Sequence, residues 1–432
     1  MSKVNIFWFR RDLRLEDNAG LYQALMSGNK VLPVFIFDKD ILDKLEDKED
    51  ARLQFVHDSL KDMNEELTKN KFGIEFYYST PEQAWTEILK KYDVDQVFTN
   101  EDYEPYAVNR DEKVKALLNK KGIEFNTYKD QVIFHKNDVL KKDGKPYTVF
   151  TPYKNKWLSQ FEIGACEAFG SKKLLKNLLE LKSPKIPSLK SMGFLKTEVK
   201  NKTKTIKKSI VEEYDKNRDF PAVEGTTHLG MHLRFGTVSV RKCIQVGDAL
   251  NDVWLSELIW REFFMQILFH FPHVVDAPFK EKYSKLDWKN DKKEFNKWCE
   301  GKTGYPIVDA GMRELNETGF MHNRVRMMAG SFLVKHLLID WRWGERYFAQ
   351  KLLDYELSAN NGNWQWVAGT GCDSAPYFRI FNPYTQQKKF DPEFKYIKKW
   401  IPEYGTDDYV KEMVDHKSSY HRALAFYKEG LS

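Results

Sequence analysis

A chain of 432 residues is longer than one hydrophobic core usually organises, so two or three domains are expected. Its net charge of +6 is local: the stretch from Ser171 to Lys208 holds twelve Lys and two Glu, which leaves the remainder net acidic, so any nucleic-acid-binding face must itself be local. The four cysteines (Cys166, Cys243, Cys299, Cys372) form no CxxC pair and no run of about 18 apolar residues occurs. No metal site, disulfide framework or membrane span is indicated, and a soluble cytoplasmic protein is expected.

From Val4 to about Asp130, short apolar runs alternate with amphipathic stretches. VNIFWF precedes a helix through Leu21, and VLPVFIF a helix from about Leu53 to Leu67. IEFYYS precedes a helix from Pro81, QVFTN a helix from Ala107, and IEFNTY closes the series. The pattern predicts a Rossmann-like α/β domain over residues 1–132, with a five-stranded parallel sheet and helices on both faces. Such sheets receive ligands beyond the strand C-termini, where FWFRRDLRLEDN places Arg10, Arg11, Asp12 and Arg14. A salt-bridged corner and an anion site are both open for these residues. Neither GxGxxG nor a P-loop is present. Residues 133–208, with SPKIPSLKSMG, read as an inter-domain connector. Residues 209–432 carry helical periodicity, as in WLSELIWREFFMQIL, and are expected to form an all-α domain.

Within that half, Glu257, Trp260, Arg261 and Phe264 fall at i, i+3, i+4, i+7 and share one helical stripe. Glu257 and Arg261 could pair with each other, or the stripe could line a pocket for a flat, hydrogen-bonding ligand such as a nucleobase. Asn323, Arg326 and Met327 form a second stripe from which Arg324 points away. LLDYELSANN supplies Asp354 and Glu356 as acceptors for heterocycle N–H groups. FPAVEGTTHLGMHLRFGTVS has a Gly-Thr-Thr turn before a helix, which suits either an anion or plain capping. The stretch from Asn360 to Pro383, NNGNWQWVAGTGCDSAPYFRIFNP, fits no simple helix or strand period. Trp364 and Trp366, two apart, are expected on different faces, and the glycines at 362, 369 and 371 point to turns or close backbone approach.

Taken in order, FWFRRDLRLEDN, TPYKNKW, ELIWREFF, GKTGYPIVDAGMRELNETGFMHNRVRM, DWRWGERYF and ANNGNWQWVAGTG…FRIFNP resemble the photolyase/cryptochrome family, specifically class I photolyases acting on cyclobutane pyrimidine dimers. The resemblance covers essentially the whole chain. It implies an FAD-binding helical domain and a light-driven repair reaction, in which reduced, anionic FAD lends an electron to a dimer flipped out of UV-damaged DNA. A monomer with no obligate protein partner is implied. Matching positions imply FAD contacts at Tyr214, Thr226, Thr227, His228, Leu229, Gly230, Arg326, Asp354, Tyr355, Glu356 and Asn360, with Arg326 paired to Asp354. Here Glu356 stands where many members have Asp, and Thr-Thr-His-Leu-Gly replaces Thr-Ser-x-Leu-Ser. Trp288, Trp341 and Trp364 match an electron-transfer chain. Glu257 and Asn360 match the residues that act in the reaction itself. Glu257, Trp260, Arg261, Asn323, Met327 and Trp366 match the dimer pocket, while Arg218, Arg324 and Gln386 match DNA contacts. A second, antenna chromophore is expected: Arg110 stands where folate-holding members have glutamate, and Arg11, Asp38, Arg52 and Asp102 resemble a deazaflavin or flavin groove. The alternative is a cryptochrome-type blue-light receptor. Repair is favoured by the retained Met327 and Trp366 and by a chain that ends 42 residues after Phe390.

Overall fold

The computed structural model describes residues 3–182, 184–200 and 203–431, which form two compact units. The first comprises residues 1–138, 160–205 and 228–246, and the second comprises 139–159, 206–227 and 247–432.

The first unit is built on strands β1 (Val4–Phe9), β2 (Lys30–Asp38), β3 (Glu75–Ser79), β4 (Val94–Asn100) and β5 (Glu124–Tyr128), in the order β3-β2-β1-β4-β5 and all parallel. Helices α1 (Ala19–Met26), α2 (Ala51–Thr68), α3 (Pro81–Lys91) and α4 (Pro105–Asn119) alternate with them. The central strands read as unbroken apolar runs because both sheet faces are covered. On β1, Phe7 and Phe9 enter one buried cluster, and Val4, Ile6 and Trp8 enter another. The expected α/β domain is therefore present, with each expected strand in place.

The expected connector is not a solvated tether in this structure. Residues 160–205 belong to the first unit, where Leu178, Leu189, Met192 and Phe194 are buried with residues of α1 and α2. These apolar residues are scattered through a lysine-rich stretch, so no helix or strand period announces them. Residues 139–159 instead belong to the helical unit and include most of α5 (Phe150–Gln160).

The second unit is helical, and four of its helices bear on the site: α6 (Asp252–His270), α7 (Asn323–Ser331), α8 (Trp341–Lys351) and α9 (Leu357–Ala368). Asn251, His322 and Asp340 accept backbone N–H groups at the starts of α6, α7 and α8 and so define where each begins. The α9 segment corrects the expectation of an irregular stretch: residues 360–368 are helical, and irregular chain begins only at Gly369, which closes the helix at φ +86°. Two glycines serve close approach. A Cβ at Gly362 of α9 would lie 2.2 Å from the Phe264 ring of α6, and one at Gly344 of α8 would lie 2.1 Å from Trp364 of α9, so both the α6–α9 and the α8–α9 contacts need glycine.

Candidate active site

The helical unit contains a cavity of about 360 Å³, within the range of small-molecule and cofactor pockets. Helix α6 contributes Glu257, Trp260, Arg261 and Phe264, the whole stripe anticipated from its spacing, and α7 contributes Asn323, Arg326 and Met327. The chain between α8 and α9 brings Asp354, Tyr355 and Glu356, and α9 brings Asn360, Trp364 and Trp366. Trp364 is buried and Trp366 half-buried, as their offset suggested, yet both rings border the one cavity.

Ion pairs organise the wall. Arg326 Nη2 donates to Asp354 Oδ2 at 2.9 Å and its Nε donates to the Met321 carbonyl at 2.7 Å. The other Asp354 oxygen, Oδ1, is buried with no hydrogen-bond partner among the described residues. A buried carboxylate oxygen without a donor is costly, and this atom has the chemistry to accept an N–H. Glu257 and Arg261 do not pair with each other. Arg261 Nε donates to Glu356 Oε2 at 3.1 Å, and Arg218 holds Glu257. Burial pushes the Glu257 carboxyl up, and the Arg218 guanidinium opposes that shift. Glu356 is thus engaged by Arg261, in addition to any contact implied for it with a flavin.

Asn360 is buried, and its Nδ2 donates to both the Glu345 carbonyl (3.0 Å) and Glu345 Oε1 (2.8 Å). The amide is thereby oriented. Burial also pushes the Glu345 carboxyl up, against the Asn360 hydrogen bond. Arg324, expected to point away from the Asn323 stripe, stays out of the cavity lining but touches one stripe member: its Nη1 donates to Met327 Sδ at 3.7 Å, its Nη2 donates to Asp219 Oδ1 at 2.6 Å, and its guanidinium lies 4.5 Å from the Phe390 ring centre. Gln386 is half-buried on the helix Pro383–Phe390 and lies outside the cavity wall. Trp364 and Trp341 share the buried core of this unit, with Trp288 packed against it.

The remaining expected FAD contacts do not line this cavity. Tyr214, Thr226 and Thr227 are half-buried in the helical unit, while His228, Leu229 and Gly230 belong to the α/β unit. His228 takes a φ of +52°, a left-handed conformation for a non-glycine residue.

In the α/β unit, the four residues matched to the antenna groove all have protein partners. Arg11 Nη1 donates to Asp102 (3.3 Å) and Glu104 (3.1 Å), Arg52 pairs with Asp50, and Asp38 accepts from the Tyr106 hydroxyl at 2.6 Å. Burial pushes the Asp102 carboxyl up, but Arg11, Arg234, Arg10 and Arg110 together hold it below the usual range. A cavity of only about 10 Å³ lies beside Arg10 and Arg11, room for little more than a water.

Four residues of the site carried no sequence assignment. Glu345 and Arg379 lie inside motifs singled out for other residues: Glu345 binds Asn360, and Arg379 lies 5.7 Å from the Trp366 ring centre. Asp219 neighbours Arg218 in sequence and receives Arg324. Trp298, fully buried, has its ring centre 6.2 Å from that of Trp364, and nothing in its local sequence distinguishes it from core.

Comparison with known proteins places these features in a family. The model of the DNA photolyase domain matches residues 5–173, and that of the FAD binding domain of DNA photolyase matches residues 254–407. A Vibrio cholerae deoxyribodipyrimidine photo-lyase is 37% identical over 470 aligned positions, covering 98% of this chain and 99% of the relative. The crystal structure of a class III photolyase from Agrobacterium tumefaciens superposes with a TM-score of 0.89 at 32% identity, covering 100% of this chain and 98% of that one. An archaeal photolyase from Sulfolobus tokodaii, solved with two FAD molecules, superposes with a TM-score of 0.81 at 34% identity, covering 99% and 100%. The chain belongs to the photolyase/cryptochrome family.

Proposed function

We propose that the protein is a light-driven DNA repair enzyme that splits cyclobutane pyrimidine dimers, and that the 360 Å³ cavity of the helical unit holds the flavin end of FAD and receives the dimer. The observation that carries this reading is the shared wall. Acceptors suited to a heterocycle (Asp354, Asn360) and groups suited to a pair of damaged bases (Glu257, Trp260, Trp366) border one and the same space.

The residues present fit FAD, because Asp354 Oδ1 is a buried acceptor at the cavity with no donor among the described residues, and Arg326 orients that carboxyl through its other oxygen. The cofactor, in its fully reduced anionic form, supplies the photochemistry: an electron lent to the dimer under blue light and returned once its two bridging carbon–carbon bonds have broken. The protein's own work is positional and electrostatic. Asn360 offers a neutral amide whose N–H groups are already committed to Glu345, so its oxygen is directed and no negative charge is added beside the anion. Glu257, held by Arg218, accepts an N–H from a pyrimidine edge. Trp366 offers a ring face for stacking, with Arg379 lying over the same indole. Met327 completes the apolar lining. Arg218, Arg324 and Gln386 are assigned to the DNA backbone, and Trp364, Trp341 and Trp288 to delivering electrons that restore reduced flavin.

For a second chromophore, the archaeal relative solved with two FAD molecules favours a flavin-type group over folate. The ion pairs of Arg11 and Arg52 would have to open to receive one in the matched groove.

The test is repair itself. Photoreduced, FAD-replete protein mixed with an oligonucleotide bearing one thymine dimer should convert it to the undamaged strand under blue light and leave it intact in the dark. A dimer that survives illumination contradicts the proposal.

A further inference from the structure

Trp260 is held by more than its own helix. Phe150, the first residue of α5 and itself buried, lies flat against it, with ring centres 3.5 Å apart and planes 8° from parallel. Phe263 meets Trp260 edge-on at 5.7 Å and Phe150 at 5.8 Å, and Phe264 stacks on Trp260 at 5.4 Å and 27°. One face of the indole is therefore occupied by protein, and rotating it would drive the indole out of contact with a buried ring. Phe150 is in turn anchored from a distant segment. Its backbone N–H, one of the groups a helix start leaves unsatisfied, donates to Asp373 Oδ2 at 2.9 Å. Asp373 sits in the irregular chain after α9 and, with Trp260 and Trp366, borders a smaller cavity of about 20 Å³.

We infer that Phe150 is a positioning residue for lesion recognition: by occupying one face of Trp260 it fixes the indole so that only its remaining surface is offered to the dimer, with Asp373 as the anchor. The inference rests on Trp260 contacting the dimer. Phe150 itself does not border the 360 Å³ cavity and so acts through Trp260.

The test compares full-length, FAD-replete wild type with Phe150→Leu, which keeps apolar volume but removes the flat ring, and Phe150→Tyr, which restores it. Each is titrated with a dimer-bearing oligonucleotide and with the same sequence undamaged. The Leu variant should bind the dimer about tenfold more weakly, the scale of one lost aromatic stack. Its affinity for undamaged DNA and its flavin content should stay at wild-type level, and the Tyr variant should return to within about twofold. An unchanged dimer affinity in Phe150→Leu overturns the inference, as does an equal loss for both DNAs or a loss of FAD. If Phe150→Leu does not fold, Asp373→Asn carries the test: dimer affinity should fall about twofold to threefold with undamaged DNA unaffected, and no change overturns the inference. A wild type that fails to discriminate dimer from undamaged DNA would instead sink the underlying assignment of Trp260.

Discussion

Beyond the C-termini of β1 and β4, the charged groups of the α/β unit satisfy one another. Arg10 pairs with Asp111 at 2.5 Å, Arg11 with Asp102 and Glu104, and Arg234 with Glu104, around a cavity of about 10 Å³. The helical unit handles charge differently. Arg326 satisfies only one oxygen of Asp354, and the other is left buried at a cavity of about 360 Å³. Both regions are rich in Arg and Asp, so composition does not separate them. What separates them is whether the protein supplies every partner. A closed network orients backbone and costs little beyond its own desolvation, whereas an open one is stable only if something else completes it.

Removing one cation from each region is expected to have different consequences. Replacing Arg326 with Leu leaves the Asp354 carboxylate uncompensated at the cavity. FAD affinity is expected to fall about 100-fold, about 3 kcal/mol, measured as flavin retained per chain after dialysis. Trp366→Ala should retain flavin and weaken dimer binding about 30-fold, about 2 kcal/mol, in a titration with dimer-bearing DNA. In the closed network, Arg11→Met should lower unfolding stability by about 2 kcal/mol in urea while FAD content and dimer affinity stay unchanged. A loss of a second absorption band in that variant would show instead that this corner serves a chromophore.

His336 is buried against His416, and burial, with His416 and Arg422, lowers its pKa to about 3. The unfolded chain takes up a proton near pH 6.5 that the folded chain refuses until about pH 3, so stability falls as pH drops through that window. The loss is at most about 1.4 kcal/mol per pH unit from this group. His336→Gln should flatten the acid limb of a stability–pH curve by up to one proton.

The five strands and the α6 stripe were legible because burial imposes a period on them: continuous apolar runs where a sheet is covered twice, and i, i+3, i+4, i+7 where a helix lines a cavity. Helix α9 was not legible as a helix. It buries Asn360, Asn361, Trp364 and Gln365 together, and Asn361 and Gln365 both donate to the Val274 carbonyl, at 2.8 and 3.0 Å. A helix that buries amides against distant backbone shows no amphipathic contrast. The Glu345–Asn360 contact escaped for another reason, since it joins two helices through partners 15 residues apart and no local spacing encodes it. Phe150 immediately precedes the motif TPYKNKW, and only the fold shows its ring on Trp260.

The central claim, that one cavity serves both cofactor and lesion, is tested most directly by measuring the preference for dimer-bearing over undamaged DNA before and after FAD is removed. If the flavin forms part of the pocket the dimer enters, the preference should collapse toward unity in the FAD-free protein and return when FAD is added back. A preference that survives FAD removal intact would place the lesion site elsewhere and contradict the account.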